Sequence, residues 1–247
     1  ALATAAFAAM GTPPVRAQAT AAGSLHVVEL FTSQGCSSCP AADRLFKSYA
    51  ERRDLVALSY SVDYWDYLGW KDTLATPKFT SRQRGYAKAR GDGKVYTPQI
   101  VIDGSAHVIG SDQAGIDEAI RQTSVSPASA RVPVRCWLDN GAVVVEVGPA
   151  GDGWPAAAPR PGGTIWLAVV QPKVQVPVKH GENRGQTLDY YNVVRELLPA
   201  GMYSEKGATI RLPRNALSSG AGERFAVVLQ QGTTGPIVGA AWMGPTR

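Results

Sequence analysis

Cysteine and histidine are scarce in this chain, with three of each in 247 residues. A structural zinc site takes four Cys or His ligands, usually at short, regular spacings. Cys36 and Cys39 alone stand at such a spacing; Cys136, His26, His107 and His180 lie apart from them and from one another. No closed metal site is expected, and no cofactor. Runs of positive charge are also missing. The formal charge is +5, yet no Lys/Arg run exceeds Arg52-Arg53. Nucleic-acid binders concentrate their charge on one element, so a mildly basic soluble surface is expected, with no nucleic-acid partner. The apolar start, Ala1 to Met10, falls far short of the roughly 20 residues that cross a bilayer. No internal repeat is found.

What remains is ample for a core. At 45% hydrophobic residues, the chain can fill one large domain or two ordinary ones. Ala17-Gln18-Ala19 matches the small-x-small cleavage pattern of a secretory signal. Residues 1–24 are therefore expected to be a signal-peptide remnant or, failing that, a disordered tail. The signal reading implies export to the periplasm or beyond, into an oxidising compartment.

The most informative stretch is Val27 to Pro40. An apolar run, Val27 to Phe31, reads as a buried strand; Thr32 to Gly35 is a loop; Cys36-Ser37-Ser38-Cys39 follows, and Pro40 opens a helix expected over Ser38 to Arg52. A Cys-x-x-Cys pair at a helix N-terminus is set up for thiol chemistry, because unpaired N–H groups and the helix dipole favour a thiolate there. Two bland alternatives stand beside this reading. Half a zinc site looks the same. A purely structural disulfide across so short a loop would stabilise little. The third cysteine, Cys136, shares one face of a period-two pattern with Val132, Val134 and Leu138, and is expected to pack as a buried, inert thiol.

Strand and helix signals alternate as far as Gln122. Leu55 to Tyr60 is a second strand. The aromatic and acidic stretch Ser61 to Asp72 is either a loop plugging a core edge or a site wall. Pro77 to Arg90 is a helix with Pro in its first turn and basic residues late, as the dipole prefers. Strands Gln99 to Ile102 and Ala106 to Ile109 flank a tight Asp103-Gly104 turn. Ser111 or Asp112 caps a last helix, Gln113 to Gln122. Thr123 to Ala130 is rich in Ser, Pro and Ala and reads as a linker. Beyond it only short strands are expected: Val132 to Leu138, Ala142 to Val147, Thr164 to Val170, Val174 to Val178, Tyr190 to Leu197, Ala208 to Leu212, Phe225 to Gln230 and Ile237 to Met243. That pattern suggests an antiparallel sandwich. Gly151 to Gly163 is a Pro/Gly/Ala loop, and His180 to Gly185 is a turn or a segment overhanging the dithiol.

Glu29 to Pro40, Asp63 to Trp70, Tyr96-Thr97-Pro98-Gln99, Gly181 to Gly185 and Asn192 to Arg195 together resemble the exported, thioredoxin-like bacterial proteins of the DUF1223 family. The resemblance implies an α/β thioredoxin-like domain (25–124), a linker (125–130) and an all-β, sandwich-like domain (131–247). It implies a cis proline at Pro98, beside the dithiol. Two departures from better-known thioredoxins bear on activity: Gly35 stands where a Trp precedes the first Cys, and Ser37-Ser38 replaces Gly-Pro. The expected function is an exported thiol–disulfide oxidoreductase acting on a protein or small thiol. Cys36, at an exposed helix end, exchanges with substrate; Cys39 resolves; Thr97 and Pro98 offer backbone to an extended segment; Tyr64 and Trp65 wall the site. The alternatives are a soft-metal binding module and an adaptor that binds a partner through its β part.

Overall fold

The computed structural model describes residues 25–125, 131–150, 162–217, 220 and 222–244. The signal-peptide or tail reading of residues 1–24, most of the expected linker and all but the last two residues of the Gly151 to Gly163 loop lie outside the described residues. The first half runs β1 (His26–Thr32), α1 (Cys39–Ala50), β2 (Leu55–Ser61), α2 (Pro77–Arg90), β3 (Gln99–Ile102), β4 (Ala106–Ile109) and α3 (Gln113–Val125). The second runs β5 (Val134–Asp139), β6 (Ala142–Val147), β7 (Gly163–Pro177), β8 (Thr187–Tyr203), β9 (Ala208–Pro213), β10 (Arg224–Gln231) and β11 (Ile237–Trp242).

Local chemistry explains the boundaries of the first half. Thr76 caps α2, its side chain accepting from Lys78 N, with Pro77 at the first helical position and Gly91 closing the helix at φ 76°. Asp112, not Ser111, caps α3 by accepting from Gly115 N at 3.0 Å. The β3–β4 turn takes positive φ at Asp103 and Gly104, the two-residue geometry that a right-twisted hairpin needs.

The chain is a mixed α/β protein with one eight-stranded sheet, in the order β11-β10-β7-β8-β2-β1-β3-β4, and a three-stranded antiparallel sheet, β5-β6-β9. This differs from the expectation of a β unit standing wholly after an α/β unit. The large sheet takes strands from both halves, joined where β2 and β8 run parallel at Ser59↔Val193. Ser59 Oγ donates to Tyr191 O at 2.9 Å beside that junction. The hydrophobic interior is shared too. Val27, Phe31, Val56, Leu58 and Tyr60 of the first half form one buried cluster with Ala168, Val170, Val194, Ala226 and Val228 of the second. The opposite face of β1 and β2 packs Val28, Leu30, Leu55 and Ala57 on Phe46 and Tyr49 of α1. The sandwich-like packing survives in part: Val134, Cys136, Val143 and Val145 of the small sheet bury against Leu167, Val169, Phe225 and Val227 of the large one.

Two strands expected as separate are one. Pro172 interrupts the apolar pattern, but it lies past Val170, the last β7 residue paired with β10, so no partner on that side asks for its missing N–H. Opposite it, Asn192 at φ 47° forms an irregularity in β8, and its amide donates to Ala50 O and Ala57 O.

Candidate active site

Strand β1 delivers the Cys-x-x-Cys loop to the N-terminus of α1, where Cys36 and Cys39 form a disulfide. Cys39 is the first helical residue, and Cys36 lies ahead of the Ser38 cap position. Cys36 was expected to be exposed; it is 1% accessible, and Cys39 is 0%. Ser37 and Ser38 between them face solvent.

The cover comes from the second half of the chain. The loop between β7 and β8 closes on itself through Val178 N to Gln186 O and Gly185 N to Val178 O, each 2.9 Å. It is a turn and it also lies over the dithiol. Asn183, buried, donates to the carbonyls of Gln34 and Cys36, both at 2.9 Å. Glu182 accepts from Ser37 N at 3.1 Å. The turn is fitted closely below: Gly181 has φ 77°, and a Cβ there would lie 3.2 Å from that of Trp70.

Gln34 and Asp72 hold the dithiol loop from the other side. Gln34 Oε1 accepts from Trp70 Nε1 at 2.8 Å and Thr73 N at 3.2 Å. Asp72 accepts from Gln34 N at 2.8 Å, and from Leu74 N and Ala75 N within its own turn. Burial raises the Asp72 carboxyl to about 6 against those three N–H donors.

The other expected site residues gather at the same end of the sheet. The Thr97–Pro98 peptide bond is cis. The register Phe31↔Gln99 carries Pro98 one step beyond the ladder, opposite Thr32. A Cβ on Gly110 would meet Leu30, Pro98 and Ala42 at 3.0–3.1 Å, so Pro98 packs close to α1 one turn from Cys39. Trp65 Nε1 donates to Thr97 Oγ1 at 2.7 Å. Trp65 also explains Gly35, where a Cβ would come within 3.0 Å of the Trp65 Cβ. Tyr64 and Trp65 are half-buried against the shared core, while Tyr67, stacked on Trp65, is exposed. The Ser61 to Asp72 stretch thus plugs the core edge and also reaches Gly35 and Thr97 beside the dithiol loop.

Two groups, Asp43 on α1 and Asn183 in the covering turn, were not singled out by the sequence reading. Asp43 lies on α1 one turn after Cys39, and is 3% exposed. Among the described residues neither of its carboxyl oxygens makes a well-formed hydrogen bond, although the Thr32 hydroxyl faces the carboxyl closely enough to favour its charged form; the Tyr190 phenol is likewise unsatisfied. Burial pushes the Asp43 carboxyl to about 8; Thr32 and Arg44 pull it down, and Asp72 adds to the rise. Burial raises the Tyr190 phenol as well. The other group is Asn183. A signal for Asp43 existed: an acid on the apolar stripe Cys39, Ala42, Asp43, Phe46 is out of place unless it has a task.

Elsewhere, Cys136 is free and buried, its thiol raised to about 12 by burial alone. Among the described residues no three His, Cys, Asp or Glu converge on a metal position, and no helix is long and apolar enough to cross a membrane. Ser124, His26 and Asp103 align at 2.8 and 2.6 Å like a nucleophile triad. However, Ser124 gives its hydroxyl proton to Ile120 O, and Arg131 occupies Asp103 at 2.6 Å. The group is a strap between β1 and the entry to β5. A cavity of about 660 Å³ lies away from the disulfide, between the end of α1, β8 and β11.

A family profile described as "protein of unknown function (DUF1223)" matches residues 27–230. This chain belongs to the DUF1223 family. The match covers the dithiol, the Thr97–Pro98 segment and the covering turn alike. Among solved structures, the DUF1223 chain is similar to a structural-genomics crystal structure of an Agrobacterium tumefaciens protein, with 34% identity, 88% of this chain and 93% of that one covered, and a TM-score of 0.76. It is also similar in fold to HBP35 of Porphyromonas gingivalis, at 10% identity and TM-score 0.59, covering 91% of this chain and 77% of that one. No curated protein matches it.

Proposed function

We propose that this DUF1223 protein is an exported thiol–disulfide oxidoreductase whose first half is thioredoxin-like. The observation that carries the reading is the Cys36–Cys39 disulfide at the junction of β1 and α1. In support of the fold, β2, β1, β3 and β4 lie side by side, with β1 and β2 parallel and β3 and β4 antiparallel. Helices follow β1, β2 and β4 in the βαβαββα order. In support of export, a disulfide is at home in an oxidising compartment, and Ala17-Gln18-Ala19 fits a cleavage site.

A substrate thiolate attacks Cys36 Sγ, the Cys36–Cys39 bond breaks, and Cys39 leaves as a thiolate. A second substrate thiol then attacks the mixed disulfide at the substrate sulfur, releasing the oxidised substrate and leaving a dithiol. The reverse sequence oxidises the protein. Thr97 and Pro98 present backbone to the substrate, and Tyr64 and Trp65 bound its place. Because Cys36 is covered, the β7–β8 turn must shift before a bulky substrate reaches the sulfur. The turn therefore selects for segments able to replace the hydrogen bonds of Asn183.

The test is a pair of single-cysteine exchanges. Cys39→Ser protein should accumulate mixed disulfides through Cys36, and Cys36→Ser protein should accumulate none. Adducts of equal yield in both variants, or stoichiometric zinc held tightly by the reduced monomer, would replace this reading with a passive or metal-binding one.

A further inference from the structure

We infer that the cavity between the end of α1, β8 and β11 binds a small amphipathic anion, a carboxylate or phosphate carried on an apolar body. It lies away from the disulfide, so this site stands whether or not the dithiol exchanges.

The space is of ligand size, and both halves of the chain build it. Its volume, about 660 Å³, falls within the range of small-molecule pockets. Leu25, Ala50 and Arg53 come from the first half, and Val134, Arg224 and Trp242 from the second. Junctions between structural units are a common place for such pockets, because two surfaces there meet without fully interlocking.

The backbone is irregular at the same place. Pro172 and Asn192 both line the cavity, and they fall between the paired residues Gln171↔Val193 and Lys173↔Tyr191 of the β7–β8 ladder. Pro172 has no N–H to give the ladder, and Asn192 takes φ 47°. The Asn192 amide is committed to Ala50 O at 3.2 Å and Ala57 O at 3.0 Å. Those bonds hold the unusual backbone against the end of α1. A non-glycine residue kept at positive φ by its surroundings is a feature that gathers at binding sites.

Charge names the ligand. The Arg224 guanidinium lies over the Trp242 ring, 4.1 Å from its centroid. The indole is pinned in turn, its Nε1 donating to Leu55 O at 2.9 Å. Among the described residues, no side chain or carbonyl accepts from the Arg224 guanidinium. Burial lowers its pKa, and no nearby carboxylate opposes that. A guanidinium held on a ring keeps its N–H fork free for a planar oxyanion. Arg53, exposed at the rim, is likewise without an ion pair among the described residues. The other charges on the rim have partners of their own: Arg52 pairs with Asp54 at 2.6 Å, and Glu51 reaches Lys47 at 3.8 Å. The surplus is positive. An anionic head fits Arg224 and Arg53, and an apolar body fits Leu25, Val134 and Ala241.

Calorimetry of the full chain with 2-naphthoate, 2-naphthyl phosphate and the neutral 2-naphthylmethanol tests the site. At least one anion should bind about tenfold or more tighter than the alcohol, and added salt should narrow the gap. The tighter anion identifies the head group. Arg224→Gln should weaken that anion about tenfold and leave the alcohol unchanged, with Arg224→Lys recovering part of the loss. Nitrogen–proton NMR of the wild-type protein locates the site without any variant. The Trp242 indole N–H and the Arg53 and Asn192 amides should shift as the anion is added, and the Ser37 and Ser38 amides should stay in place. Cys36→Ser protein should bind the anion as wild type does, which separates this site from thiol exchange. Equal binding of anions and alcohol, no saturable binding of any probe, shifts confined to the dithiol loop, or an Arg224→Gln protein that binds as wild type does would overturn the proposal.

Discussion

Among the described residues four carboxyl groups are buried in the first half of this chain, and two of them, Glu29 and Asp43, are treated in opposite ways. Glu29, on β1 and 0% exposed, is fully partnered. Arg82 Nε donates to it at 2.8 Å, the Tyr86 hydroxyl donates to its other oxygen, and Arg82 also reaches Gln230 on β10 at 3.1 Å. Asp43, on α1 and 3% exposed, has no such partner. The first network ties α2 and β1 to a strand of the second half. It is a joint, with its cost of burial offset by pairing. The second is a group held neutral by burial. A buried acid with a cation beside it stays charged and holds elements together; one without is kept protonated.

The comparison breaks most visibly at Arg82. Arg82→Leu leaves Glu29 buried without its cation, and should cost about 3–5 kcal/mol of unfolding free energy in urea melts. The double change Glu29→Leu/Arg82→Leu should recover most of it. A single change costing under about 1 kcal/mol would mean that the network does not hold the halves together.

Asp43 should behave in the opposite sense. The folded protein keeps its proton to about pH 8, whereas the unfolded chain releases it near 3.8. Between those values the folded state binds more protons, so stability is full below about 3.8 and is lost as pH rises toward 8. The slope is at most about 1.4 kcal/mol per pH unit. Asp43→Asn should remove most of this decline and leave only the smaller part from Asp72, which ends near 6. Urea midpoints of the two proteins at pH 5 and pH 8 decide it.

A smaller effect is expected at the cover. Asn183→Ala removes two hydrogen bonds to the dithiol loop, worth about 1–3 kcal/mol together. The oxidised protein should then react several-fold faster with dithiothreitol, with Cys36 protected less from alkylation after reduction. The smallest effect belongs to Cys136, packed between the two sheets. Cys136→Val should shift stability by less than about 1.5 kcal/mol and leave exchange kinetics unchanged.

How much of this was legible beforehand follows from the range of the signals. α2 was readable to the residue, because Pro77 and Gly91 mark its ends by backbone chemistry confined to one turn. β3 and β4 were legible from the apolar run after Pro98 and the Asp103-Gly104 turn. The dithiol and the Thr97–Pro98 segment were visible as motifs. The union of the two halves in one sheet was not. It depends on one parallel residue pair, Ser59↔Val193, more than a hundred positions apart, and on the unusual backbone at Asn192. Pro172 divided β7 in the sequence because a proline's harm depends on which neighbour lies beside it. The exposure assigned to Cys36 failed for the same long-range reason. Its cover, Asn183, arrives from the far half of the chain, and a Gly-bounded polar stretch looks like any turn.

The most direct measurement is mass spectrometry of Cys39→Ser and Cys36→Ser proteins after brief incubation with oxidised glutathione. If the disulfide loop is a thiol-exchange site, Cys39→Ser protein gains one glutathione on Cys36 and leaves Cys136 unmodified, while Cys36→Ser protein gains far less. A Cys39→Ser protein that gains no glutathione, or gains it first on Cys136, would contradict the account.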